Sequence, residues 1–289
     1  MRVLVTGASG FLGIKLCEHL RARGHDVTGL RNRFAPEGVV DYHQVDLRST
    51  TAVAAVMDAV RPDAVIHAAA FSDPDVCARQ PELAFAVNAG GTANLVSVSP
   101  ARVIYISTDL VFDGTRGWYD EQAATNPLSV YAQSKLQGEQ HVLSAGGLVV
   151  RVALLIGRSR GLKPSFLDWM EQRLANSEPL PLFVDQFRTP VYVPVVCKAL
   201  EKLLQRPQVN GILHLGGEER LSRLEIGERY FRRFPGKQHL VTPVRTQDLQ
   251  KGAVRGQDCS LSSGKLKTLL EMSTGTVDEA FADLAPIPS

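Results

Sequence analysis

Along the first half of the chain, short apolar runs alternate with longer stretches whose apolar positions recur at helical spacing. The runs at 2–6, 26–30, 42–45, 64–67 and 103–107 predict strands, and the stretches at 11–23, 50–60 and 81–98 predict helices. Alternation of this kind predicts an α/β protein with a parallel sheet covered on both faces. It continues with a helix over 127–144, opened by Asn126 as cap and Pro127 in the first turn, and a strand over 148–153. After Gly157 the pattern loosens into a helix at 165–176, a Pro-rich stretch at 179–182, a helix at 193–204 and a strand at 211–215. Residues 1–157 are therefore expected to form one domain and 158–289 a smaller substrate-covering region, with 187–215 returning to the sheet. The last ten or so residues are expected to form a loose tail.

Composition narrows the partners. A chain of 289 residues that is 44% hydrophobic and 21% charged can bury a large core. Its 32 Lys and Arg are scattered among 30 Asp and Glu, so no field is built for nucleic acid or an acidic membrane, and a small ligand is the expected partner. The first apolar run is too short for a signal peptide, and no later one reaches the roughly 20 residues of a membrane span, so a soluble, cytoplasmic protein is expected. Cys17, Cys77, Cys197 and Cys259 form no C-x-x-C pair and are expected to be reduced, buried thiols. The seven histidines form no ligand cluster, so no metal is expected, and His67 sits on a buried-strand pattern that makes it structural.

The segment Thr6-Gly7-Ala-Ser-Gly10-Phe-Leu-Gly13 lies between the first strand and the first helix. Gly7 permits a sharp turn, Gly10 lets backbone N–H groups approach a pyrophosphate, and Gly13 permits close helix-strand packing, as in a Rossmann doubly wound domain. Where an NAD site places a carboxylate, the second strand ends in Arg31-Asn-Arg33. Two guanidinium groups there suit a 2′-phosphate, which favours NADP(H) over NAD(H). Asp46, after the third strand, is placed either to bind adenine or to cap the helix that begins near Ser49.

Tyr131 and Lys135 stand one helical turn apart on one face. An ammonium beside a phenol is expected to lower the phenol's pKa from about 10 and make it a better acid or base near neutrality. Ser107 and Thr108 end the fifth strand, where ligands of open α/β sheets bind, so a hydroxyl, a phenol and an ammonium converge on a carbonyl-polarising site. Trp118 and Tyr119 lie in the long segment 113–125, readable as a lid or as a plain surface loop.

These residues carry a resemblance. The glycine motif at 6–13, His67-Ala-Ala-Ala, Asn88-Ala-Gly-Gly and Tyr131-x-x-x-Lys135 resemble the extended short-chain dehydrogenases/reductases. Ser107-Thr-Asp-Leu-Val-Phe-Asp-Gly114, the stretch 126–139 and Asp185-Gln-Phe-Arg-Thr-Pro190 are similar to the dTDP-4-dehydrorhamnose reductase branch. The resemblance implies an NADPH-dependent reductase of a 4-keto nucleotide sugar: Tyr131 protonates the carbonyl oxygen, Thr108 orients it, and Lys135 binds the nicotinamide ribose. It further implies cofactor contacts from Gly7, Ser9, Gly10, Phe11, Leu12, Gly13, Arg31, Arg33, Asp46, Leu47, Ala68, Ala69 and Ala70, and substrate contacts from Asp109 and Arg188. Leu110 replaces the Glu that dehydrating relatives carry, which argues against dehydration. The segment 151–157 is aliphatic where the branch usually carries an aromatic, and Arg255-Gly256 replaces the usual Arg-Pro pair. The branch also contains the regulatory beta subunit of methionine adenosyltransferase, so a non-catalytic NADP-holding role is the alternative, with an epimerase or another carbonyl reductase beside it. A homodimer is also open.

Overall fold

Val3, Leu4 and Val5 are wholly buried in β1 (Arg2–Thr6), which enters the centre of the sheet before the chain turns into α1 (Phe11–Ala22). In the computed structural model, which describes residues 1–32, 41–161, 163–248 and 252–284, the elements then follow as β2 (Asp26–Arg31), β3 (Asp41–Gln44), α2 (Thr50–Val60) and β4 (Ala64–His67). Next come α3 (Pro74–Arg79), α4 (Pro81–Phe85), a π-helical turn (Ala86–Gly90), α5 (Gly91–Val98), β5 (Arg102–Thr108), α6 (Val130–Ser144) and β6 (Leu148–Val152). The remainder runs β7 (Leu155–Ile156), α7 (Phe166–Ala175), β8 (Leu180–Phe183), β9 (Phe187–Arg188), β10 (Val191–Tyr192), α8 (Val193–Leu204), β11 (Gly211–Leu215), β12 (Leu221–Ser222), α9 (Arg223–Phe231), β13 (Val241–Val244), α10 (Gly264–Leu270) and α11 (Val277–Ala282).

Among the described residues the main sheet has seven strands in the order β11-β6-β5-β4-β1-β2-β3. All its pairings are parallel. This is the doubly wound Rossmann order with one added strand, and the strand order reverses between β1 and β4, where a ligand crevice opens at the carboxyl ends. Helices cover both faces. Leu16 and Leu20 of α1 pack with Val196 and Leu200 of α8 on one side. Val53 and Met57 of α2, Leu95 of α5 and Val142 of α6 pack on the other. A second core gathers Leu167, Met170, Ile226, Tyr230 and Phe281 beneath α7, α9 and α11.

Three expectations change. Helix α6 starts at Val130, not at Pro127, because Ser129 has extended backbone (φ −119°) and its Oγ accepts the Ala132 N–H at 3.3 Å. Asn126 is drawn away from the cap: its N–H donates to the Val111 carbonyl at 2.9 Å and its amide to Asp113 Oδ2 at 3.2 Å. The single helix expected over 81–98 is broken by the π-helical turn, which carries Asn88 to the site described below. Of the expected loose tail, the part up to Ala282 is helical, with Ala280 and Phe281 only 3% exposed in the second core, and 285–289 lie outside the described residues. All four cysteines are free and buried, and no described helix is long and apolar enough to cross a membrane.

Candidate active site

The glycine turn leaves α1 with an open N-terminus. Ser49, Ser129, Ser165 and Ser222 cap α2, α6, α7 and α9 with their hydroxyls, whereas the α1 cap is Gly10, with no side-chain bond and no acidic residue in the first turn. Its first N–H groups and its dipole thus face the crevice, as a pyrophosphate requires. Gly7 adopts φ +66°, and a Cβ there would stand 2.6 Å from the Ala69 nitrogen, so Gly7 is needed both for the turn and for the approach of 68–70. A Cβ on Gly13 would overlap the Gly7 carbonyl oxygen, so the third glycine seats α1 on the turn. Gly10 is exposed, and a Cβ there would meet only the Gly7 oxygen, at 3.2 Å.

Ala68, Ala69 and Ala70 follow β4 and lie against this turn. The Ala69 N–H donates to Thr6 Oγ1 at 3.1 Å, and Thr6 in turn bonds His67 Nδ1 at 2.6 Å. The second ring nitrogen of His67 bonds Thr92 Oγ1 at 2.9 Å. Burial, aided by the charge of Lys135, lowers His67 to about 3, so it is neutral and structural, as its strand pattern predicts. Ser9, Phe11 and Leu12 stand in or beside the turn, and Arg31 ends β2; Arg33 lies outside the described residues. Leu47 packs on Gly91, and Asn94 donates to its carbonyl at 3.0 Å. Asp46 is bound by the Arg48 side chain at 2.5 Å, and the α2 cap that it could have supplied is Ser49. Sequence reasoning missed Gly161, which packs over the backbone of Ser9–Phe11 with a Cβ position 3.1 Å from the Ser9 carbonyl.

Thr108, Asp109, Tyr131 and Lys135 converge at the end of β5. Thr108 Oγ1 donates to Asp109 Oδ1 at 3.0 Å and accepts the Leu110 N–H at 3.2 Å. Lys135 Nζ donates to the Ile106 carbonyl at 2.7 Å and stands 3.8 Å above the Tyr105 ring. The expected lowering of Tyr131 by Lys135 is not what the structure gives. Burial and the Asp109 charge push the phenol above its ordinary value, with only the Thr108 hydroxyl opposing them. It is Lys135 that moves toward neutrality, to about 7, because burial outweighs the favourable charge of Glu139. The phenol is therefore protonated at pH 7 and suited to give a proton.

Packing behind the site explains its precision. Gly138 lets α6 approach β5 and the π-helical turn, since a Cβ there would overlap the Tyr105 hydroxyl and stand 2.9 Å from the Asn88 carbonyl. The Asn88 amide bonds the Phe71 N–H (2.8 Å), the Phe71 carbonyl (3.1 Å) and Ser134 Oγ (2.9 Å), which ties the segment after β4 to the turn of α6 between Tyr131 and Lys135. Glu139 and Arg151 form a buried ion pair at 2.7 Å, with Ser107 Oγ donating to Glu139 at 2.5 Å.

A cavity of about 250 Å³ is lined by Leu154, Phe166, Trp169, Gln186, Arg223 and Arg255 among others, and is linked to the site through the charge interaction of Arg223 with Asp109. Phe166 and Trp169 stack at 5.9 Å, so α7 supplies the aromatic surface that 151–157 lacks. Arg188 is 2% exposed; it pairs with Asp109 at 3.3 Å and donates to the carbonyls of Phe187, Gln257 and Gly256. Burial raises Asp109, opposed first by Arg188. Burial and the neighbouring Arg188 and Arg255 disfavour the charge on Arg223, while Asp109 favours it. Arg188, Arg223 and Arg255 stand against two carboxylates, Asp109 and Asp75, which leaves a cationic excess of one suited to an anion. Tyr119 fits neither a lid nor a surface loop, for it is core, 3% exposed and stacked on Phe112 at 4.1 Å, while Trp118 is 49% exposed. Among the described residues no three or more His, Cys, Asp or Glu side chains are grouped so as to hold a metal ion.

The model of the RmlD substrate binding domain family matches residues 1–285. The chain is 32% identical to the probable low-salt glycan biosynthesis reductase Agl14 of Haloferax volcanii, over 98% of this chain and 97% of that protein. It is 32% identical to methionine adenosyltransferase 2 subunit beta of Danio rerio, over 93% and 84% of the two chains. Its structure superposes on the dTDP-4-dehydrorhamnose reductase of Bacillus anthracis in complex with NADP, with a TM-score of 0.85, 26% identity and 97% of each chain covered. The chain thus belongs to the RmlD substrate binding domain family.

Proposed function

We propose that the protein is an NADPH-dependent reductase of 4-keto nucleotide sugars. The observation that carries this reading is the convergence of Thr108, Tyr131 and Lys135, linked through Asp109 to an arginine-lined cavity. The reductase names of two of the relatives support it, and so does the NADP held by the Bacillus anthracis structure. Residues 1–157 bind the cofactor and 158–289 cover the substrate, with 187–215 returning through α8 and β11 to the main sheet; the second core, drawn mostly from 158–289, supports the division.

The residues fit the dinucleotide. The open N-terminus of α1, with Gly7 through Gly13, holds the pyrophosphate; Ala68–Ala70 flank it, Asp46 and Leu47 face the adenine, and Arg31 with Arg33 takes the 2′-phosphate. Bound NADPH supplies the hydride. Tyr131 gives its phenolic proton to the carbonyl oxygen as the C–H bond forms, leaving an alcohol. Thr108 orients that oxygen once its hydroxyl turns from Asp109. Arg223 and Arg255 face the diphosphate, Phe166 and Trp169 pack on the nucleoside, and Arg188 steadies Asp109 at the sugar. A cytoplasmic location and a homodimer complete the proposal; light scattering checks the latter.

The test is NADPH consumption by the purified chain with dTDP- and UDP-linked 4-keto sugars. The 32% identity to methionine adenosyltransferase 2 subunit beta is the observation behind a second reading, in which the chain holds NADP while binding a partner. No turnover with any keto sugar, together with co-purification of another enzyme, would decide for it.

Two expected outcomes concern the cofactor. Arg31→Asp should weaken NADPH but not NADH, by about 10- to 100-fold, the worth of one charge-assisted phosphate contact. Equal affinity of the unmodified chain for both cofactors would remove the argument. Lys135, near pH 7 in the free protein, gains ribose hydroxyl acceptors that favour its charged form. At pH 8 NADPH binding should therefore take up a fraction of a proton, seen by calorimetry in buffers of different ionisation enthalpy and absent in Lys135→Met.

A further inference from the structure

Helix α3 belongs to the cofactor half, yet one of its side chains reaches the segment that lines the substrate cavity. Asp73 caps α3 by accepting the Asp75 and Val76 N–H groups at 3.0 and 3.1 Å, which fixes the first turn. From that turn the Asp75 carboxylate accepts the Ala253 N–H at 2.6 Å and a guanidinium N–H of Arg255 at 3.1 Å. Gly252 adopts φ +122°, and a Cβ there would stand 2.6 Å from Asp75 Oδ1, so the segment passes the carboxylate where only glycine fits. The Ala253 N–H first, then Arg255 and Arg79, hold Asp75 below the usual carboxylate range. The same segment is held at its other end, where Gly256 and Gln257 present their carbonyls to the Arg188 guanidinium paired with Asp109. Between these two anchors Arg255 lines the cavity with Arg223, whose like charge opposes its own.

We propose that Asp75 is a positioning residue for the diphosphate of the substrate: it offsets the repulsion between Arg255 and Arg223 and keeps the Arg255 guanidinium at the cavity. The proposal rests on the nucleotide-sugar reading. It makes the cofactor half contribute to nucleotide affinity without touching the nucleotide. Asp75→Asn keeps an oxygen for the Ala253 N–H and removes the charge that orients Arg255.

The experiment measures dTDP and UDP binding to the full chain by calorimetry, with NADPH binding in parallel. Asp75→Asn should weaken the nucleoside diphosphate by about 10-fold, the scale of one charge-assisted hydrogen bond, and leave NADPH affinity unchanged. With a keto sugar nucleotide the same factor should fall on KM and not on kcat. In an Arg255→Met background Asp75→Asn should have no further effect on dTDP, since the group it positions is gone. Unchanged dTDP affinity in Asp75→Asn, or losses that simply add in the double variant, would overturn the role of Asp75 while leaving the substrate reading intact. Failure of the unmodified chain to bind either dTDP or UDP would overturn that reading, and the positioning role with it.

Discussion

Tyr131→Phe is expected to lower turnover by ~10²–10⁴-fold, the usual contribution of a positioned acid to a proton transfer, while NADPH affinity stays within about twofold. Hydride transfer to a ketone builds negative charge on oxygen, and the half-buried phenol of Tyr131 beside Thr108 is the group placed to neutralise it. The direction of its shift matters. Burial and the Asp109 charge keep Tyr131 protonated at neutral pH, so the free protein is set up to reduce a ketone. The measurement is steady-state NADPH oxidation with the keto sugar that the unmodified chain turns over fastest. Full activity in Tyr131→Phe would mean that the proton comes from elsewhere.

Arg151→Met is expected to cost about 3–5 kcal/mol of stability, because it leaves Glu139 buried without its partner. Arg151 and Glu139 are 3% and 1% exposed and bonded at 2.7 Å, and Ser107, next to Thr108, donates to the same carboxylate. Replacing both members of the pair with Met should recover most of the loss, since the cost lies in the orphaned charge more than in the missing attraction. Urea unfolding of the two single variants and the double variant checks this. A double variant as unstable as Arg151→Met would show that the ion pair itself, not the orphaned charge, holds β6 to α6.

The sequence alone determined the parallel sheet, the glycine turn and the placing of Tyr131 and Lys135 one turn apart on α6. Each rests on local physics: short continuous apolar runs alternating with helical stretches, glycines at a strand-to-helix turn, and two side chains one helical turn apart on one face. His67 was also legible, because a polar residue on a buried strand must find partners, and Thr6 and Thr92 supply them. Helix boundaries were less so. Asn126-Pro127 carries a good start signal, but Asp113 and the Val111 carbonyl, distant from it in the chain, take Asn126 and leave the cap to Ser129. The charge states of the site lay beyond the sequence as well. Spacing puts an ammonium near a phenol, whereas desolvation by the whole fold raises Tyr131 and lowers Lys135. The cavity was decided by tertiary structure alone, for Phe166 and Trp169 come from α7, Arg223 from α9 and Arg255 from a segment held by Asp75. No periodicity links these residues; only packing of the second core against the carboxyl edge of the sheet makes them neighbours.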